Sequence, residues 1–433
     1  MNLSRYNIEV AIDENLFIYN TFSNGVLKLD KEHAAKYKEL KEEGNIGAGR
    51  NSELIETLRK GQMLIDDNID EIERLRVMHY SSKYSSDNYM LTIAPTMKCN
   101  FVCPYCYEKG RNLHTMNRDI IDKTKEYIKN IKKVASSLTI SWYGGEPLLA
   151  MNIIEELSTC AIDVFKENYF ATMVTNGYRL TGENVKKLEK FKVKNIQITI
   201  DGPPDIHNKM RKLPNGQDTF FTILNNVVNA LEIYPDLHVV IRVNTDKSNI
   251  DRVDEIIDYL KEYELDHKIS IYLAPIDNIN NTCETAENCF TNDEFAAKQL
   301  EYLRRNFNRG YNFIKLPEPN ISICGAVSNS SVIIDAQGDF YKCWDDVSDE
   351  KCKLGNIKEE YETSKNYTKW ILYDPFENEK CTECTYLPIC MGGCPNQVIK
   401  TGNNKCAIIK NNVDEMIKLL YQSFQRRQQE KEK

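Results

Sequence analysis

The sequence predicts an α/β protein built on a parallel sheet, flanked by a small α+β module and a cysteine-rich segment. Three observations carry this. Between residues 88 and 275, six apolar runs ("NYMLTIAP", "LTISWYG", "FATMVTNG", "NIQITIDG", "LHVVIRVN" and "ISIYLAP") alternate with charged helical stretches such as 119–133 and 182–191. Strand and helix in alternation place successive strands side by side and parallel. The first 80 residues have a different texture, with short strand-like runs "RYNIEVAID", "LFIYNTF" and "GVLKL" followed by helical segments at 31–43, 51–60 and 68–80. Beyond about 310 the chain turns irregular and rich in cysteine, and it closes on a polar helical tail from 411. The expected boundaries are therefore 1–85, 86–310, 311–410 and 411–433.

Composition narrows the chemistry. The 433 residues suffice for two or three domains, each with its own core. A net charge of −8 argues against a nucleic-acid binder held by phosphate contacts. The N-terminus has no basic stretch leading into an apolar run, and no segment approaches the roughly 18 apolar residues of a membrane span. A cytoplasmic protein with no membrane partner is expected. Its 14 cysteines then point to metal, because structural disulfides do not persist where thiols are kept reduced.

Ligand sites of parallel α/β folds lie where strands end, so the residues after each run matter most. The first run opens onto "TMKCNFVCPYCYEK", with Cys99, Cys103 and Cys106 spaced C-x3-C-x2-C. The second opens onto "GGEP" (Gly144 to Pro147), the third onto "TNG" (Thr175 to Gly177) and the fourth onto "DGP" (Asp201 to Pro203). A cubic 4Fe-4S cluster has four irons, so three cysteines leave one iron open to a small chelating molecule. A zinc knuckle would need a fourth ligand nearby, and the segment offers none.

The C-x3-C-x2-C loop after the first strand resembles the cluster motif of the radical S-adenosylmethionine (radical SAM) enzymes. The resemblance implies a partial (β/α)6 barrel. It also implies that SAM chelates the open iron and is cleaved by an electron from the cluster to a hydrogen-abstracting 5'-deoxyadenosyl radical. It places Tyr105 near the adenine and Gly144, Gly145 and Glu146 near the SAM amino group. Asn176, Thr199, Arg211 and Arg242 are candidates for its ribose and carboxylate, an arginine being a natural carboxylate partner.

The later cysteines sharpen this. Thirteen residues separate Cys324 from Gly338 and four more precede Cys343; Cys381, Cys384, Cys390 and Cys394 follow with gaps of two, five and three, and then Cys406. This pattern resembles the SPASM extension of radical SAM enzymes that modify peptides and proteins. The resemblance implies three 4Fe-4S clusters in all. One auxiliary cluster would be held by Cys324, Cys343 and Cys394, the other by Cys381, Cys384, Cys390 and Cys406. The first of these sets is one ligand short; Cys283, Cys289 or Cys352 could complete it, or the iron stays open to a substrate thiolate. Cys160 reads as a core residue.

In the sulfatase maturases, SPASM relatives, an aspartate general base directly follows the second cysteine of the pattern. Here the sequence reads "CWDD": Trp344 stands at that place, with Asp345 and Asp346 after it as candidate bases. The N-terminal module resembles the winged-helix-like leader-recognition element of ribosomal-peptide maturases, which captures a leader as an added strand. Together these resemblances imply a maturase that forms a thioether or carbon-carbon cross-link in a precursor peptide with a leader, fed by an electron donor such as flavodoxin or ferredoxin. The alternatives are formylglycine formation or another radical peptide modification, and a non-catalytic iron-sulfur electron carrier.

Overall fold

The computed structural model describes residues 1–44, 53–278, 283–311, 313–320, 324–359 and 364–431. They form two compact units, one of 1–84, 292–324 and 373–433, the other of 85–291 and 325–372.

In the first unit, β1 (Asn2–Leu3) pairs with β5 (Leu64–Ile65), while β2 (Asn7–Ile12), β3 (Asn15–Asn20) and β4 (Val26–Leu29) form an antiparallel sheet in that order. Three helices follow or interleave: α1 (Lys31–Glu43), α2 (Glu53–Lys60) and α3 (Glu71–Lys83). The Asp30 side chain accepts from the N–H of His33 and the Asp70 side chain from those of Ile72 and Glu73, which fixes where α1 and α3 begin. Positions 51 and 52 of the helix expected at 51–60 lie outside the described residues. Leu16, Ile18 and Leu29 of the sheet bury against Tyr37, Leu40, Leu54 and Leu58 of the helices.

The second unit is the α/β body the sequence predicts. Its strands β6 (Asn88–Ile93), β7 (Ser137–Trp142), β8 (Tyr169–Thr175), β9 (Val193–Thr199), β10 (His238–Thr245) and β11 (Ile269–Pro275) lie side by side, each parallel to the next. All six fall on the predicted runs. Between them run α4 (Arg118–Ile131), α5 (Met151–Phe165), α6 (Gly182–Lys190), α7 (Pro204–Met210), α8 (Phe220–Ile233) and α9 (Glu255–Glu262). In α4, capped by Asn117, the buried Ile120, Ile121, Thr124, Ile128 and Ile131 recur at helical spacing and form its inward stripe.

The sheet continues past β6. Strand β12 (Ser331–Ile334) pairs parallel with β6, and β13 (Asp339–Tyr341) and β14 (Gly355–Asn356) follow antiparallel, giving nine strands; α11 (Lys365–Ile371) closes this part. The β12–β13 turn needs Gly338: its φ is +83°, and a Cβ there would sit 2.6 Å from Ile357. The cysteine-rich stretch is thus divided. Residues 325–372 join the sheet through β12, and 373–410 pack with the N-terminal module.

The remaining helices of the first unit are α10 (Asn292–Asn308), α12 (Glu379–Thr382), α13 (Leu387–Cys390), α14 (Pro395–Thr401) and the tail helix α15 (Val413–Lys431). Tyr6 and Leu75 bury against Phe376, Leu387 and Met391, so both ends of the chain share one core. Thr21 Oγ1 and Lys83 Nζ donate to the carbonyls of Thr385 and Tyr373, each at 2.5 Å. Among the described residues no helix is long and apolar enough to cross a membrane.

Candidate functional site

The loop after β6 is pinched at its base. Met97 N–H donates to the His114 carbonyl (2.8 Å), Met116 N–H to that of Pro95 (3.0 Å), and the Thr96 and Thr115 hydroxyls meet at 2.7 Å. The excursion between carries Cys99, Cys103 and Cys106. Burial pushes the Cys99 thiol up to about 12 and that of Cys103 to about 11, and raises Cys106 as well. Cys99 itself is exposed, with Cys103 and Cys106 half-buried, and thiols raised in this way resist ionising until a cation arrives, the condition in which metal binding displaces protons. The Phe101 N–H already points at Cys99 Sγ (3.4 Å). Among the described residues no three His, Cys, Asp or Glu side chains gather tightly enough to hold one ion. A cubane spaces its ligand sulfurs more widely than a single ion does.

The two glycines of "GGEP" exist because this loop lies on the cysteine loop. A Cβ at Gly144 would fall 2.4 Å from Thr96 O, and one at Gly145 would fall 2.4 Å from Lys98 O. Gly145 and Glu146 N–H donate to those same carbonyls, at 3.2 and 2.9 Å. Glu146 is fully buried, and its carboxylate accepts from Leu148 N–H (3.0 Å), Thr175 Oγ1 (2.7 Å) and Asn176 N–H (2.7 Å). It straps the "GGEP" loop to the "TNG" loop. Asn176 Nδ2 in turn donates to Asn100 Oδ1 (2.8 Å), inside the cysteine motif.

Tyr105 and Arg211 come together at the end of β9. The Tyr105 hydroxyl donates to Asp201 and accepts from Arg211 Nη1 (2.7 Å) and Asn244 Nδ2 (3.3 Å). Burial pushes the Asp201 carboxyl up to about 6 against the lowering effect of Arg211. Thr199 and Arg242 are register neighbours on β9 and β10, and Arg242 Nε donates to Asn244 Oδ1 (2.7 Å). Asp201 Oδ1, Arg211 Nε, Asn100 Nδ2 and Tyr143 Oη are buried with no protein partner. Each such group costs about 1–3 kcal/mol unless a ligand satisfies it, so this end of the sheet is fitted for a polar guest.

Cys343 and the turn after it belong to the same unit. Arg111, ion-paired with Glu108 (3.2 Å) where both side chains are nearly buried, donates from Nη2 to the carbonyls of Trp344 (3.2 Å) and Asp345 (3.1 Å). The Trp344 ring meets that of Tyr143 edge-on at 4.1 Å. Asp345 Oδ2 lies 3.8 Å from Cys343 Sγ, and Asp346 is buried. Cys352 is buried beside Asp349, and Cys160 is half-buried on α5.

In the other unit, Cys381, Cys384, Cys390 and Cys406 line one cavity of about 380 Å³. Asn404 Nδ2 donates to Cys381 Sγ at 2.9 Å. Gly393 (φ +82°) passes so close to the Lys405 carbonyl that a Cβ would lie 2.2 Å from it. Cys324, exposed, and Cys394 also belong to this unit.

Sequence reasoning passed over Asp201, Asn244, Asn100, Tyr143 and the Glu108–Arg111 pair. Asp201 stood in the "DGP" loop already singled out, whereas nothing in the sequence marked Arg111.

Residues 93–260 match the Radical SAM superfamily. Those residues therefore form a radical SAM domain, an enzymatic domain that sets aside the electron-carrier reading. The family's chemistry uses a 4Fe-4S cluster and SAM. Curated relatives include the cysteine-type anaerobic sulfatase-maturating enzyme of Clostridium novyi (strain NT), 23% identical over 341 residues, covering 70% of this chain and 87% of that protein. The enzyme of the same name from Clostridium perfringens (strain 13 / Type A) is 26% identical over 340 residues, covering 68% and 85%. Similar solved folds include native anSMEcpe with bound AdoMet and Kp18Cys peptide (TM-score 0.59, 19% identity, 77% of this chain and 99% of that one). Streptococcus suis SuiB bound to precursor peptide SuiA matches at TM-score 0.53 and 16% identity, over 92% of this chain and 96% of that one.

Proposed function

We propose that this enzyme is a peptide maturase: it abstracts hydrogen from a ribosomally synthesised precursor peptide and installs an oxidative cross-link, either a thioether or a carbon-carbon bond. The observation that carries this reading is the open edge of β4. Asn20 N–H donates to the Gly25 carbonyl (2.9 Å), and the β3–β4 register runs Tyr19↔Val26, Ile18↔Leu27, Phe17↔Lys28. Hydrogen-bonded pairs alternate along an antiparallel ladder. Leu27 therefore bonds β3, while the main-chain groups of Val26 and Lys28 face outward, where no strand of the described residues pairs with them. A leader peptide can add there as a fourth strand. The likeness of SuiB, bound to a precursor peptide, over 92% of the chain supports the same reading.

When bound, the first cluster and SAM supply a 5'-deoxyadenosyl radical. Cys99, Cys103 and Cys106 would hold that cluster, and Tyr105, Asn176, Arg211 and Arg242 the SAM. Cys381, Cys384, Cys390 and Cys406 would hold an auxiliary 4Fe-4S cluster in their cavity. The remaining cysteines of the pattern imply a further auxiliary cluster, so three clusters are proposed. Asp345, beside Cys343, is the candidate base for the proton released as the bond closes; Asp346, being buried, serves less well. The electron donor is proposed to be a small redox protein such as flavodoxin or ferredoxin.

The curated relatives favour a second reading, formylglycine formation, which Trp344 in "CWDD" weakens. Product mass decides between them. Enzyme, SAM, reductant and precursor incubated without oxygen should yield a peptide two hydrogens lighter per cross-link, with a fragmentation gap between the joined residues. Loss of sulfur from a cysteine would instead mark formylglycine, and unchanged mass despite SAM consumption would overturn cross-linking.

The docking claim has its own test. Lys28→Pro removes an outward N–H and leaves the β3 ladder intact. Leader affinity measured by titration should fall about tenfold, the equivalent of one or two main-chain bonds, with SAM cleavage retained. Because Lys28 Nζ also reaches Tyr421 Oη (3.1 Å), Lys28→Ala is the control and should bind the leader normally. Equal affinity in the proline variant would leave β4 without a docking role.

A further inference from the structure

We propose, on the reading that Cys381, Cys384, Cys390 and Cys406 hold a 4Fe-4S cluster, that Asn404 raises the reduction potential of that cluster by a hydrogen bond to the Cys381 sulfur. Asn404 Nδ2 lies 2.9 Å from Cys381 Sγ, and its half-buried side chain lines the same cavity as the four cysteines. An iron-bound sulfur can only accept, which fixes the amide with its NH2 group inward. Main-chain donors nearby are engaged elsewhere: the N–H groups of Cys381, Cys384 and Cys390 go to the carbonyls of Asn378 (2.9 Å), Cys381 (3.0 Å) and Tyr386 (3.0 Å). Asn404 thus brings to Cys381 a donor that those three amides do not.

Local bonds hold Asn404 in this position. Helix α14 ends at Gly402, whose φ of +71° reverses the chain and whose N–H donates to the Val398 carbonyl (2.8 Å). Asn403 N–H donates to Thr401 Oγ1 (3.1 Å), and the Lys405 carbonyl lies against Gly393, where no side chain could fit. The segment is therefore held on both sides of Asn404, and the amide is aimed by the protein itself.

Reduction adds an electron, and the ligand sulfurs carry part of the added negative charge. An N–H dipole with its positive end at Cys381 stabilises the reduced state more than the oxidised one, so the potential rises. The cavity wall limits the water around this sulfur and leaves the dipole only partly screened. Asn404 tunes the site without ligating it, as outer partners do for metal ligands generally.

The test is a redox titration of the cluster-loaded enzyme without oxygen, followed by electron paramagnetic resonance with and without SAM. The component that responds to SAM belongs to Cys99, Cys103 and Cys106; the component missing from an enzyme carrying both Cys381→Ala and Cys384→Ala belongs to the cavity. In Asn404→Leu, which keeps the volume and lacks the donor, the reduced-to-oxidised ratio of the cavity component at a set potential should fall about tenfold, a downward shift of about 59 mV for one electron. Asn404→Asp puts an anion in the same place and should fall further, while the SAM-responsive component stays put in both. In D2O the wild type should show an exchangeable deuteron coupled to the reduced cavity cluster that Asn404→Leu lacks. A midpoint that is unchanged, or that rises as water entering a loosened site would make it, overturns the role of Asn404, as does loss of the cluster from both variants. A double-cysteine enzyme with full iron content and every component intact overturns the cluster reading itself, and the proposal with it.

Discussion

Replacing Cys99, Cys103 and Cys106 together by alanine is expected to abolish reductive SAM cleavage and leave the rest of the iron in place. The loop that carries them is closed at its neck by main-chain bonds and by the Thr96–Thr115 contact, none of which involves a thiol. Alanine therefore removes ligands without removing the loop. The four cysteines around the 380 Å³ cavity belong to the other compact unit and do not depend on this loop. From a loaded content of about twelve irons per chain, roughly eight should remain. Iron analysis and 5'-deoxyadenosine release measure the two halves. Undiminished release would place the SAM-binding iron elsewhere, and a wild-type content near four would remove the auxiliary clusters.

Gly145→Ala should be nearly as damaging. Its Cβ would fall 2.4 Å from Lys98 O and 2.6 Å from both Lys98 C and Met97 O, all backbone atoms that no rotamer change can move aside. The loops cannot simply separate, because the N–H groups of Gly145 and Glu146 tie them together. Overpacking of this kind costs about 1–3 kcal/mol, and displacing a reacting group by about an ångström can cost a hundredfold in rate. SAM cleavage should drop by about that factor, with a lower melting temperature. Gly355→Ala, where an added Cβ meets nothing within 4 Å, is the control and should match wild type. A Gly145→Ala enzyme at full rate would show that the two loops are not held as described.

The six parallel strands were legible because each is a run of six to eight residues with β-branched and aromatic side chains flanked by loops, and the ligand-bearing loops follow from strand direction alone. The continuation of the sheet through β12, β13 and β14 was not, because strands of two to four residues are too short to show a period. Nor could the sequence reveal the use of Glu146. A carboxylate in a glycine loop suggests a partner for an ammonium, yet its oxygens accept from the local Leu148 N–H and from Thr175 and Asn176, the last two being partners that appear only once β7 and β8 are adjacent. Asp201 escaped for the same reason, its partner Tyr105 being 96 positions away.

The common core of Tyr6, Leu75, Phe376, Leu387 and Met391 has a consequence for biosynthesis. The first 84 residues leave the ribosome long before Tyr373; at roughly 5–20 residues per second the wait is about fifteen seconds to a minute. Residues 1–84, made before the sheet, are thus completed after it, and their apolar face stays bare while the sheet is being translated. A message cut short before Phe376 leaves Tyr6 and Leu75 uncovered, and a start codon used downstream of Leu75 leaves Phe376 and Leu387 uncovered beside the cavity cysteines. Loss of either segment therefore produces the same lesion.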